Sequence, residues 1–205
     1  MRPYIAIDLE TTALPTDKAE ILEFGFVYDD GVSELGSLVK KNFIIKAKSW
    51  AYAEPFAMNL NARLVQIIKE GKDPQLATLD EAFRIFAAVL VDASEACMAF
   101  DTSKGWKPSP RVYLAGKNAG GFDLPILKNS LTRAGYVDHV VTLDRCLHYK
   151  ILDPGSMYAA DFGYIPSLGE INKLVDPTRS DEAAHEALED ALDVVRAIRF
   201  KEKKQ

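Results

Sequence analysis

Two carboxylates stand two residues apart in the stretch Ile5-Ala6-Ile7-Asp8-Leu9-Glu10-Thr11-Thr12. If Tyr4 to Glu10 is a strand, its two-residue period puts Asp8 and Glu10 on one side. Like charges held that close repel unless a cation lies between them, so the pair is a candidate metal site. Two more acids and a histidine could join it. Asp123 opens a helix after the turn Gly116-Lys117-Asn118-Ala119-Gly120-Gly121, and His185 and Asp190 lie at the start of the last helical stretch. Taken singly, each has a plainer reading: Asp123 as a helix-start acid, Asp190 as an exposed helix acid, His185 as a surface or capping histidine.

The elements that must position these residues follow from hydrophobic period and turn chemistry. Glu20 to Tyr28 is rich in β-formers and ends at Asp29-Asp30-Gly31, a hairpin signal, and a third strand lies within Leu35 to Lys46. An irregular aromatic stretch, Trp50 to Met58, leads into a helix near Asn59 with Leu60, Leu64, Ile67 and Ile68 at helical spacing. Thr78-Leu79-Asp80-Glu81 is a capped start for a helix reaching about Ser94. Residues 96–111 read as a loop insertion carrying Trp106 beside Lys104 and Lys107. Val112 to Ala115 is a strand, a helix runs from Phe122 to Gly135, and Val140 to Leu143 is a fifth strand capped by Asp144. Residues 153–166 read as a loop, followed by a short helix over Ser167 to Leu174 and a final one over Asp181 to Phe200. The expected fold is α/β, a mixed five-stranded sheet flanked by helices, in a single domain over residues 1–200 with a frayed tail at 201–205. In such sheets sites gather at strand ends and nearby helix starts, so the three acidic segments can converge.

Composition narrows the function classes. A 48% hydrophobic content over 205 residues is enough to bury a core, and no apolar run reaches the roughly 20 residues that span a bilayer. No signal-peptide pattern precedes the first strand, so a cytoplasmic protein is expected. Cys97 and Cys146 have no CxxC spacing and read as reduced packing residues. A net charge of −5 argues against coating nucleic acid by bulk attraction, yet an acidic site can still meet phosphates through bound cations.

The three acidic segments, in this order, resemble the motifs of the DEDDh 3'-5' exonucleases, a DnaQ-like family of ribonuclease H-like fold. Asp8-Leu9-Glu10-Thr11-Thr12 resembles its first motif, Asn118-Ala119-Gly120-Gly121-Phe122-Asp123 its second, and His185-Glu186-Ala187-Leu188-Glu189-Asp190 its third. The resemblance spans Tyr4 to about Arg199, and departs where the family places glycine and this chain has Ala13. It implies hydrolysis of single-stranded nucleic acid, with DNA favoured, from the 3' end, releasing nucleoside 5'-monophosphates. A short-RNA exoribonuclease resembling oligoribonuclease or RNase T, and a non-catalytic nucleic-acid-binding partner of a polymerase, are the alternatives.

By that resemblance Asp8, Glu10, Asp123 and Asp190 would hold two divalent ions, and His185 would be the general base. Phosphodiester hydrolysis needs charge stabilised on both the attacking and leaving oxygens, and hard oxygen ligands select Mg2+ or Mn2+ over zinc. Histidine, with an ordinary pKa of about 6.5, suits the base. Thr11, Thr12 and Leu14 follow the acid pair where relatives contact the terminal nucleotide; a plain loop is the competing reading. Asn118 serves the turn or the substrate. Trp50, Tyr52, Phe56, Met58 and Asn59 supply a base-stacking wall, of which one or two should face substrate. Partners implied are a single-stranded DNA or RNA 3' end and replication or repair proteins in a bacterial or phage setting, with a homodimer as one possible assembly. His139 and His148 fit no motif and are assigned to surface or packing.

Overall fold

The computed structural model describes residues 1–47, 49–178 and 186–203. At its centre is β1 (Tyr4–Thr11), flanked on one side by β2 (Ile21–Asp29), β3 (Val39–Ile45) and the two-residue β4 (Leu76–Ala77), and on the other by β5 (Val112–Ala115) and β6 (Leu147–Leu152). β1, β2 and β3 form the antiparallel meander, while β5 runs parallel to β1 and β6 parallel to β5. The sheet is mixed, as expected, with β4 as a sixth strand at its edge.

Alternation along β1 divides the core. Ile5, Ile7 and Leu9 point into a cluster with Phe83, Phe86 and Leu90 of α3 (Leu79–Ser103) and with Ile126, Leu127 and Leu131 of α4 (Asp123–Arg133). Tyr4 and Ala6 point the other way, against Ala191, Leu192, Val195 and Ile198 of α8 (Ala187–Lys203). A strand covered on both faces reads as a near-continuous apolar run, as residues 4–7 do. On the α8 face the apolar series then ends, and Asp8 and Glu10 take the next two positions.

α8 is pinned at its far end by a buried charge. Arg199 donates from Nε and Nη2 to Asp29 at 2.7 and 2.6 Å, and Tyr4 donates its hydroxyl to the same carboxylate at 2.8 Å. Bidentate geometry on the buried Asp29 carboxylate makes this a firm anchor between the helix and the end of β2.

Between β3 and α3 lie the short helices α1 (Pro55–Leu60) and α2 (Ala62–Glu70), and after α4 comes α5 (Val137–Cys146). Here the structure departs from the expected elements. Val140 to Leu143 is helical, because Val140 and Leu143 face the core three residues apart while Val141 is exposed. A four-residue apolar run cannot by itself distinguish strand from helix, and the strand is Leu147–Leu152 instead. Asp144 accordingly sits inside α5, paired with Lys128, and caps nothing.

α3 runs on to Ser103, so only residues 104–111 of the expected 96–111 insertion form a loop. Cys97 is buried on its inner face, and Asp101 accepts from Arg2 at 2.9 and 3.1 Å and from the Ser109 N–H at 3.0 Å, which folds the loop back on the helix. Residues 153–166 contain α6 (Pro154–Phe162), whose proline is its first residue and whose Gly163 ends it in the left-handed region at φ 76°. Then follow α7 (Leu168–Val175) and α8, which continues through Lys203 of the expected tail. Among the described residues no helix is long and apolar enough to cross a membrane.

Candidate metal centre

At the end of β1, Asp8, Glu10 and Asp190 each offer a carboxylate oxygen within 4.8 Å of the others. The strand supplies the first two on one face and the first turn of α8 brings the third over them. Close approach of that helix depends on Gly25, which pairs with Asp8 across the β1–β2 ladder. A Cβ on Gly25 would lie 2.3 Å from the Ala187 carbonyl carbon and 2.4 Å from the Leu188 nitrogen. Only glycine allows the backbone of α8 to rest there.

Asp123 arrives from the opposite side. The β1–β5 ladder pairs Tyr4 to Ala6, and Asp123, at the start of α4, meets β1 beyond the last paired residue. Asp123 Oδ1 accepts the N–H of Leu9 at 3.0 Å, fixing this buried side chain beside the acid pair. Open α/β sheets place their ligands at such carboxyl ends of strands.

The electrostatics are those of crowded anions. Burial pushes the Asp8 carboxyl well above the usual carboxylate range, and Asp123, Asp190, Glu10 and Glu23 push it further the same way. Burial raises Glu10 to about 7 against a hydrogen bond from Asn61 that favours its charge, with Asp190, Glu23 and Asp123 adding repulsion. Asp123 is raised by burial too, opposed by backbone N–H groups, its own and that of Leu9. A dense set of buried, mutually repelling hard oxygen donors fits a divalent cation.

His185 lies outside the described residues. The hydroxyls of Thr11 and Thr12 are committed to the turn: Thr11 donates to the Ala13 carbonyl at 3.0 Å and Thr12 accepts the Glu20 N–H at 2.9 Å. Leu14 projects into solvent, its N–H donating to Glu54 at 3.2 Å. Asn118 serves the turn before α4, at φ 59° with its carbonyl accepting from Gly121 and Phe122 at 2.9 and 3.0 Å. Of the aromatic stretch, Phe56 on α1 is 74% exposed and Tyr52 61%, Met58 is half-buried and Asn59 exposed. The Glu54 N–H donates to the Thr12 carbonyl at 2.8 Å and Asn61 Nδ2 to the Thr11 carbonyl at 3.1 Å, so this segment is fastened to the end of β1. His139 packs on Phe83 and meets Asp80 at 2.7 Å, and His148 stacks on Tyr149 and lies tilted against Tyr113, both in packing roles.

Sequence reasoning missed Glu23, Asn61 and Glu54. For Glu23 the signal was present: a lone acid in the middle of an apolar strand, two residues before a mid-strand glycine.

No protein-family model matches the chain. No curated protein matches it. A solved structure does: the zinc-ion-bound form of the E. coli ExoI–ssDNA complex, with a TM-score of 0.68 at 13% identity. The likeness covers 100% of this chain and 41% of the ExoI chain, so this chain spans less than half the length of the protein it resembles. The mixed α/β sheet with helices on both faces is thus similar to the fold of that structure.

Proposed function

We propose that this chain is a metal-dependent 3'-5' exonuclease that hydrolyses single-stranded nucleic acid, DNA by preference, and releases nucleoside 5'-monophosphates. The observation that carries this reading is the meeting of Asp8, Glu10 and Asp190 at one point, with Asp123 buried beside them, in a fold like that of ExoI. Two divalent ions, Mg2+ or Mn2+, would neutralise the scissile phosphate and favour ionisation of the attacking water.

The chain's own residues divide the remaining work. Asp8, Glu10 and Asp190 would hold the cations from strand and helix, and Asp123, fixed by the Leu9 N–H, would complete the ligand set. His185, as general base, takes the proton from the attacking water. The turn from Thr11 to Leu14 borders the 3' terminus, and the exposed rings of Phe56 and Tyr52 offer stacking surfaces beside it. Stacking and metal contacts are local, which is how a chain of net charge −5 can hold a polyanion.

The test is release of mononucleotides from 5'-labelled DNA and RNA oligomers of graded length with Mn2+ or Mg2+. A ladder shortening from the 3' end is expected, lost with chelator and in Asp8→Asn and His185→Ala. Activity confined to RNA of a few nucleotides would replace the DNA reading with the short-RNA one. Release of nothing from any single strand would overturn the proposal.

A further inference from the structure

Glu23 is 1% exposed and lies opposite Glu10 across the β1–β2 ladder. Another carboxylate buried beside three clustered acids is unfavourable unless it is neutralised and hydrogen-bonded. Its partners come from three separate elements. Glu23 Oε2 accepts the N–H of Ala187, the first residue of α8, at 3.0 Å. Oε1 accepts from Asn42 Nδ2 on β3 at 2.8 Å and has Arg63 Nη2 of α2 at 3.6 Å. The same Arg63 nitrogen lies 3.5 Å from Glu186, the residue just before α8. The Asp190 N–H in turn donates to the Glu186 carbonyl at 3.1 Å.

A chain of contacts thus runs from Arg63 through Glu23 and Glu186 to the turn that carries Asp190. We propose that Arg63 and Glu23 are positioning residues that hold the first turn of α8, and Asp190 with it, against Asp8 and Glu10. Arg63 supplies the compensating charge from the partly exposed side, and Glu23 satisfies a helix-terminal N–H that would otherwise be buried without an acceptor. The Arg199–Asp29 pair fixes one end of α8, and this pair fixes the other. The inference rests on the reading of Asp8, Glu10 and Asp190 as metal ligands.

Charge alone and positioning predict opposite signs for Arg63, which makes the test decisive. Removing a cation near the site should tighten Mn2+ binding if only Coulomb attraction matters. Loss of a positioning contact should weaken it, by about tenfold as for other residues that orient ligands. Mn2+ affinity is measured by titration calorimetry on the folded, metal-free protein for Arg63→Ala, Arg63→Lys, Glu23→Gln and Glu23→Ala. Weaker binding in Arg63→Ala is expected, with partial recovery in Arg63→Lys. Glu23→Gln keeps an acceptor for Ala187 and should lose less affinity than Glu23→Ala, although both remove the same charge.

In turnover, kcat should fall in Arg63→Ala while KM for a single-stranded oligomer holds. A raised KM with unchanged Mn2+ affinity would make Arg63 a phosphate contact and overturn the assignment, as would unchanged or tightened Mn2+ binding. Failure of the unsubstituted protein to bind Mn2+ would instead overturn the functional reading beneath it.

Discussion

Gly25 and Ala187 are in backbone contact: the point where a Cβ would stand on Gly25 is 2.3 Å from the Ala187 carbonyl carbon. No rotamer change can relieve that distance, because the obstacle is main chain. Gly25→Ala must therefore displace the first turn of α8 from β2, at a cost of about 1–3 kcal/mol in line with other overpacked sites. Because Gly25 sits opposite Asp8, the displacement carries Asp190 away from its partners. Thermal unfolding should show a lowered Tm, and added Mn2+ should restore little of it.

Crowded carboxylates predict a particular pH dependence for the metal-free protein. Glu10 is raised from its ordinary 4.5 to about 7, and Asp8 and Asp123 are raised as well. The folded state then holds more protons than the unfolded chain between those values, so stability falls as pH rises through that window. For Glu10 the penalty is absent well below pH 4.5, grows through the window and is complete above its raised value of about 7. For Glu10 alone it is on the order of 3 kcal/mol. Tm of the chelated protein should drop from pH 5 to pH 8, and Mn2+ at pH 8 should reverse the drop. Glu10→Gln should flatten the profile, and an unchanged profile in that variant would mean that another group causes the slope.

Much of this site was legible in the sequence, and the limits are instructive. Asp8 and Glu10 could be placed on one face because a strand has a period of two, and Asp123 could be placed at a helix start because a turn precedes it. That α8 lies on the same face of β1 as the acid pair was not legible, since it depends on the tertiary packing of Tyr4 and Ala6 against Ala191 and Val195. Glu23 escaped notice because a single acid in a strand has no local signature of what it will cap 164 residues later. Two of the misread segments failed for different reasons. Val140 to Leu143 was too short for its period to decide, whereas the proline and glycine around 154–163 are the start and stop of a helix and look like loop residues only when counted together. Thr11 and Thr12 were singled out by position alone, and their hydroxyls turn out to close the turn.

Asp123 combines two roles that different substitutions separate. Its Oδ1 is the acceptor for a buried N–H, and its charge crowds Asp8. Asp123→Asn keeps an acceptor while removing the charge, so the metal-free protein at pH 8 should be as stable as the parent or more so. If Asp123 is a metal ligand, as proposed, nucleotide release should nevertheless fall about a hundredfold. Asp123→Ala leaves the Leu9 N–H unsatisfied and should cost about 1–3 kcal/mol besides. Chemical denaturation of both variants beside activity assays checks this. Equal destabilisation in the two would show that the hydrogen bond to Leu9 contributes nothing.

Phe56 tests the stacking surface without touching the fold. Its ring is 74% exposed on α1, and α1 is fastened to the turn after β1 through Glu54. An exposed ring contributes little to the core, so Phe56→Ala should leave Tm nearly unchanged. If the ring stacks on a base near the 3' end, its loss removes about 1–3 kcal/mol of binding and should raise KM for a single-stranded oligomer roughly 5- to 150-fold. Phe56→Trp should preserve affinity, because any aromatic face can stack. Stacking is sequence-tolerant, so the loss should be similar for oligomers ending in purines or pyrimidines. A KM that does not move in Phe56→Ala would assign the stacking to Tyr52 or to no ring of this segment, and the matching substitution at Tyr52, whose ring also carries Lys18 at 5.4 Å, would decide between the two.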